Sequence, residues 1–363
     1  MSTETPLAPA ASPGATSAGP VRTQRRLPRF AATALFVAGV VVGALLAALT
    51  TGRLNIALTV IYGVILGTLA VYLVSRSVEG RRKATDRLVT TVVTSAFAIA
   101  MVPLVSLLYT VLDNGLNRFD SQFFNSSMLG VVGEGGGAYH AILGTVIITA
   151  LTTLISVPIG LLAAIYLVEY GTGRLKKVLT FFVDVMTGIP SIVAGLFAFA
   201  LFALFFGPGV RLGAMGAVAL AVLMIPVVVR SAEEVLKLVP NELREASYAL
   251  GVPKWRTILK VVIPTSIAGL GTGVTLAIAR VIGETAPLLV TTGFVNGTNL
   301  NPFDGRMTAL PVFSYYQLTQ PGVPPEFGIE RAWTAALVLI MLVMALNVVA
   351  RLISRLFAPK TGR

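Results

Sequence analysis

The stretch 240–288, PNELREASYALGVPKWRTILKVVIPTSIAGLGTGVTLAIARVIGETAPL, changes character partway along its length. Its first part is the most charged segment of a very apolar chain. Its second part is a hydrophobic run that carries Arg280 and Glu284 with it. A run of about 20 apolar residues crosses the hydrocarbon of a bilayer, and a charge inside it must face protein or water. One part is suited to a partner in water, the other to something polar within a membrane. The chain reads as a device that couples the two.

Composition supports the membrane. Of 363 residues, 55% are hydrophobic and 12% are charged, against about 25% charged in soluble domains. Long apolar runs without strand-length alternation predict an all-α integral membrane protein rather than a barrel. Eight spans are expected, at about 31–50, 55–75, 89–112, 141–168, 178–206, 212–230, 269–292 and 332–356. The fifth is overlong and holds Gly188 and Pro190, which predicts a kink or a tilt. Residues 1–29 read as a disordered tail, mostly Ala, Pro, Ser and Thr and ending in Arg22, Arg25, Arg26 and Arg29. The apolar run that follows is too long for the core of a signal peptide and reads as a retained helix.

Charge orients these spans. Of the 28 Lys and Arg residues, 22 fall in the tail, in 76–87, in 174–177, in 230–260 and in 351–363. The alternate loops hold only Arg53, Arg118, Arg211, Arg306 and Arg331, and Arg280 is the one left within a span. Cytoplasmic loops collect basic residues, so both termini, including the tail 357–363, are expected in the cytoplasm. The same asymmetry accounts for the net charge of +12 without a nucleic-acid partner. The absence of cysteine excludes disulfides and thiolate catalysis, and a single histidine, His140, leaves no basis for a metal site or a His-based catalytic cluster. No GxxxxGK[ST] loop is present, so neither ATP hydrolysis nor a cofactor is expected of this chain itself.

Within the charged part, 231–250 reads as helix divided by Pro240. Gly251 ends it, and Pro253 prevents its simple continuation. The segment 254–262 reads as a further helix, stopped or bent by Pro264. A short helix of this kind fits a groove on a partner, slightly favoured over a lipid-headgroup surface. In the apolar part, Arg280 is expected near mid-bilayer, with Glu284 four residues on and on the same helical face. The two either neutralise each other or stand on the path of an anion. A guanidinium fork matches an oxyanion, and Glu284 offers an acceptor for the proton that hydrogen phosphate has and sulfate lacks. Asp184, in the fifth span, reads as a buried acid in a structural pair. The outward loops 113–140 and 293–331 are long enough to receive a partner or to form a gate.

Residues Glu245, Ala246 and Ser247, then Gly251 after three residues, then Val261, Ile263 and Pro264 after nine more, resemble the cytoplasmic loop motif of ABC-importer permeases. Ser247 stands where that family usually has alanine. The resemblance implies that 231–268 is a coupling loop, with Glu245, Ala246, Ser247, Leu250, Gly251 and Trp255 at the contact with an ATPase subunit. The segment 279–288, ARVIGETAPL, is similar to a segment of phosphate-importer permeases of the PstA type. So are 156–170 (SVPIGLLAAIYLVEY), 188–195 (GIPSIVAG) and 135–145 (GGGAYHAILGT). This resemblance covers 89–356 and implies a type I ABC-importer permease fold of six helices, to which the helices in 30–88 are two additions.

It implies a phosphate pathway at Arg280, Glu284 and Thr285. It further implies a bacterial plasma-membrane location and four kinds of partner: a homologous PstC-type permease, two PstB-type ATPases that bind ATP-Mg, a PstS-type extracytoplasmic phosphate-binding protein, and membrane lipid. A permease for molybdate or sulfate, or a secondary transporter using the Arg–Glu pair, is the rival reading.

Overall fold

The computed structural model describes residues 27–28, 30–52 and 55–357, and every regular element among them is helical. The expectations for most of the N-terminal tail and for 358–363 lie outside these residues. The helices are α1 (Ala31–Thr51), α2 (Ile56–Val78), α3 (Arg81–Gly115), α4 (Ser121–Asn125), α5 (Tyr139–Ile165), α6 (Gly173–Thr187), α7 (Ser191–Phe206), α8 (Gly213–Lys237), α9 (Asn241–Ala249), α10 (Lys254–Thr257), α11 (Ile263–Val281), α12 (Ala286–Thr291), α13 (Leu310–Thr319) and α14 (Pro325–Phe357). Among the described residues seven helical stretches are long and apolar enough to span a membrane, and the bent pair α6–α7 makes an eighth if it is one span. The chain forms two compact units that divide inside α3, between Ser106 and Leu107.

In the N-terminal unit α1 and α2 make a close hairpin. A Cβ on Gly39 would lie 2.4 Å from the Gly67 Cα, and one on Gly43 would lie 2.5 Å from the Gly63 nitrogen. Small residues four apart let the two backbones touch, which is how helices gain packing where lipid removes the hydrophobic drive. Asn55 caps α2 by accepting the Ala57 and Leu58 amides at 3.1 and 3.3 Å. Glu79 is buried after α2, where it accepts the Leu27 amide and pairs with Arg87, each at 2.9 Å. Leu45, Leu49, Ile61 and Leu69 lie exposed, as lipid-facing side chains do.

The second unit is built around α8. Two-thirds of its apolar window is buried, far more than in any other span. Its Leu220, Met224 and Val228 pack with Ile148 of α5, Ala277 and Val281 of α11, and Leu288 of α12. Towards the end of α8, Leu236 and Val239 join Ala164, Leu167, Val262 and Leu270 in a second cluster. Near the opposite end of α5, Phe123, Ala141, Leu310, Phe313 and Val338 form a third. The long loops of the sequence therefore hold structure: α4 lies in one, α13 and the start of α14 in the other.

Three expectations about the spans change. The fifth is broken rather than kinked, because α6 and α7 meet at 107°; Pro190 has no N–H to carry a helix through and instead precedes the first turn of α7. The sixth runs on to Lys237, so 231–237 is the tail of a span and not a separate helix. The seventh begins at Lys254 and ends at Val281. Residues 254–262 are thus its first turns, not a helix of their own, and Pro264 does not stop it. A π turn over Ile258–Val262, closed by the Ile263 amide on the Ile258 carbonyl, comes just before Pro264. This wider turn makes room for a ring that would otherwise clash with the carbonyl four residues back.

Candidate functional site

The charged loop folds as a hairpin of two limbs. The first is α9, entered through Pro240, whose fixed φ suits the position before a first turn. It ends at Gly251, where φ is +73°. The Gly251 amide bonds the Tyr248 carbonyl at 2.9 Å and the Val252 amide bonds the Ser247 carbonyl at 3.2 Å, so the chain turns in the left-handed geometry that favours glycine. The second limb starts after Pro253 with α10 and continues through the π turn into α11.

Two kinds of contact hold the limbs. Between them, the Ser247 and Thr257 hydroxyls bond at 2.8 Å, both buried. Behind them stands the end of α5, which a π turn extends through Tyr166–Tyr170. Arg244 of α9 donates to Glu169 from Nε at 3.1 Å and from Nη2 at 2.8 Å. Its side chain is 11% exposed and that of Glu169 5%. Arg244 also donates to the Leu236 carbonyl at 3.0 Å and to that of Val239, satisfying acceptors that the end of α8 leaves open. On the other limb the Lys254 ammonium sits 5.0 Å from the centre of the Tyr170 ring.

The outward surface is different in kind. Glu245, Ala246, Leu250, Gly251 and Trp255 are all exposed, Leu250 at 83% and Trp255 at 54%. They lie together around the turn, with the Arg256 guanidinium over the Trp255 ring. Five of the six residues expected at a partner contact are thus exposed. Ser247 is the exception, since its hydroxyl points inward to Thr257. Sequence reasoning missed Arg244, Glu169, Lys254 and Thr257. A lone acid closing an otherwise apolar span was the available signal for Glu169.

The apolar part of the stretch has another geometry than expected. Helix α11 ends at Val281, and the Glu284 amide turns back to the Val281 carbonyl at 3.1 Å. Arg280 and Glu284 therefore do not share a helical face, and among the described residues neither has an ion-pair partner within this chain. Arg280 is exposed, while Glu284 and Thr285 are half-buried in the turn before α12. Two segments read separately in the sequence meet here: a Cβ on Gly195 of GIPSIVAG would lie 2.7 Å from the Pro287 Cα of TAPL. Arg211 pins the far end of α12 through the Leu289 and Val290 carbonyls at 3.0 and 2.7 Å. Near the break in the fifth span, Asp184 is 59% exposed rather than buried. It pairs with Arg230, which also meets Glu233 at 2.9 Å, and Lys237 closes the group on Glu233 at 2.7 Å.

The glycine run is also held by charge. Arg331, buried, donates to the Gly133 and Gly135 carbonyls at 2.8 and 3.0 Å and to Gln317 at 3.1 Å, and Arg118 donates to the Gly136 carbonyl at 3.0 Å. The long loops 113–140 and 293–331 are thus fastened, not loose.

Comparison with known proteins places the chain in a family. The family model described as the binding-protein-dependent transport system inner membrane component matches residues 156–363, which include both parts of the candidate site. The phosphate transport system permease protein PstA 1 of Mycobacterium tuberculosis (strain H37Rv) is 46% identical over 283 residues, 77% of this chain and 91% of that protein. The PstA protein of Mycobacterium leprae is 46% identical over 279 residues, 76% of this chain and 90% of that one. That of Pasteurella multocida is 38% identical over 274 residues, 75% and 95%. The chain belongs to the family of binding-protein-dependent transport system inner membrane components, and within it to the PstA permeases.

Proposed function

We propose that this chain is one of the two membrane-spanning subunits of an ATP-driven importer of inorganic phosphate in a bacterial plasma membrane. It forms the pathway with a homologous PstC-type permease. Two PstB-type ATPases bind ATP-Mg on the cytoplasmic side, and a PstS-type binding protein delivers phosphate from outside. The observation that carries this reading is the PstA likeness over three-quarters of the chain, together with an exposed loop built like a docking element. In this reading Glu245, Ala246, Leu250, Gly251 and Trp255 meet the ATPase, and Ser247 braces the loop from behind.

Arg280, Glu284 and Thr285 line the phosphate pathway. An exposed guanidinium without a carboxylate partner among the described residues supports this, because a membrane does not tolerate such a group unless it faces water, ligand or another protein. ATP-driven closure of the ATPase pair then turns the pathway outward, and hydrolysis returns it inward, a two-state element biased by ligands at both ends.

The test is phosphate uptake into proteoliposomes holding the assembled complex, with the binding protein supplied. Uptake is expected to need ATP, to ignore excess sulfate or molybdate, and to fall at least about a hundredfold in Arg280→Ala, as loss of a group from a charge-selective path does when several kcal/mol are involved. Uptake without ATP would replace this reading with a secondary transporter. Competition by sulfate or molybdate would change the substrate.

A further inference from the structure

The exposed face of the charged loop explains how a partner grips it, but not how its displacement enters the membrane. Three observations bear on that. First, both limbs of the loop are fastened to two consecutive residues at one end of α5: Arg244 to Glu169 and Lys254 to Tyr170. Second, the Arg244–Glu169 contact is screened from water on both sides, so it is stiff in a way that a surface ion pair is not. Third, α5 is fastened again near its other end. There the Thr145 hydroxyl accepts the Leu310 amide at 2.7 Å, and Gly144 lies so close to the Thr308 carbonyl that a Cβ would come within 2.1 Å of its oxygen.

Between Thr145 and Tyr170 the helix rises about 38 Å at 1.5 Å per residue, more than the hydrocarbon thickness of a bilayer. About 10 Å along from Thr145, Thr152 adds a bond to the Ala217 carbonyl of α8 at 3.3 Å.

We propose that Glu169 and Tyr170 are positioning residues that make α5 a connecting rod, delivering movement of the loop to the 308–310 segment at the far side of the membrane. This role requires no contact of either residue with the ATPase or the transported anion. Their effect is on the ratio between ATP consumed and substrate moved. The glutamate takes the load from the first limb through a two-point guanidinium contact, and the tyrosine takes it from the second through the face of its ring. Arg244 also holds the end of α8, so the loop cannot swing on α9 alone.

This inference rests on the coupling-loop reading above, and one set of measurements separates the two. Phosphate uptake and ATP hydrolysis are measured on the same reconstituted complexes: wild type, Glu169→Gln, Tyr170→Leu and Tyr170→Phe. The amount of ATPase co-purifying with each is measured alongside. Glu169→Gln keeps the shape and one acceptor oxygen but removes the charge. Tyr170→Leu removes the ring, and Tyr170→Phe keeps it.

In Glu169→Gln and Tyr170→Leu, the phosphate moved per ATP hydrolysed is expected to fall about fivefold or more, the size of a coupling free energy between linked sites. The co-purifying ATPase is expected to be unchanged, and Tyr170→Phe to keep the wild-type ratio. An unchanged ratio in both altered variants overturns the inference, as does an equal loss in Tyr170→Phe. If Glu169→Gln fails to assemble, Tyr170→Leu decides alone, because it leaves the buried ion pair in place. Wild type without ATP-dependent uptake would instead mark failure of the proposed function.

Discussion

At the residue scale, legibility depended on whether a side chain's role is local. Gly251 was legible because a glycine between a helix and a proline has few other uses, and its φ of +73° bears that out. Ser247 was not, because what buries it is Thr257, ten residues on, across a turn whose shape no motif spacing states. The Arg280–Glu284 relation was misread for a similar reason. A shared face for Arg280 and Glu284 requires a helix that continues through 284, yet the helix ends at Val281. Gly251 supports a sharp prediction. Nothing lies within 4 Å of a Cβ placed there, so a substitution meets only the cost of a left-handed backbone, about 1–2 kcal/mol for an L-residue. Gly251→Val is expected to lower the thermal midpoint of the detergent-solubilised complex and to reduce the ATPase that co-purifies, whereas Gly251→Asn, which tolerates that conformation, is expected to do so less. Equal effects from the two would mean that size at the docking face, and not backbone geometry, selects glycine.

At the element scale the sequence located the helices but not their breaks. A hydrophobic run reports how much chain is apolar, and it continues unchanged through a 107° bend at Gly188–Pro190 or a π turn before Pro264. Both prolines were visible, but one sits at a break and the other within a continuous helix. At Pro264 the preceding turn is widened to receive the ring, while at Pro190 the chain bends instead. The α1–α2 hairpin is the reverse case, since Gly39, Gly43, Gly63 and Gly67 at four-residue spacing pair off across the interface. Its prediction follows from contact distances. Gly67→Leu must push a side chain into Phe36, whose ring and carbonyl already lie within about 3 Å of a Cβ placed at 67. That variant is expected to lose at least about 1–3 kcal/mol of packing in this hairpin, the usual cost of overfilling a tight interface. Faster thermal aggregation of the purified chain, with a smaller effect from Gly67→Ala, is the measurement.

At the scale of the whole molecule, what the sequence states most plainly is orientation, because that signal is a sum over every loop and does not depend on any single break being placed correctly. The division of 22 basic residues against 5 survives the corrections to the fifth, sixth and seventh spans. The sixth and seventh spans change only in where their ends fall, so that 231–237 joins a helix without changing the side on which Lys237 emerges, and the bent fifth keeps the division when it is taken as one span. The rule behind it is that Lys and Arg near span ends are retained in the cytoplasm during insertion. With no cysteine in the chain, single-cysteine variants give an unobstructed test. Lys83→Cys, Lys176→Cys and Lys260→Cys sit in basic loops or at span ends facing them, while Asn299→Cys and Leu129→Cys sit in the alternate loops. In intact cells a membrane-impermeant thiol reagent is expected to label the last two and spare the first three, and permeabilisation is expected to expose the remainder. Labelling of Lys176→Cys from outside would place α6 and the bent fifth span on the wrong side. The proposed six-helix arrangement, with its charged loop turned towards an ATPase, would then lose its footing, since loops 174–177 and 230–260 must open to the same compartment for Arg244 and Lys254 to reach the end of α5.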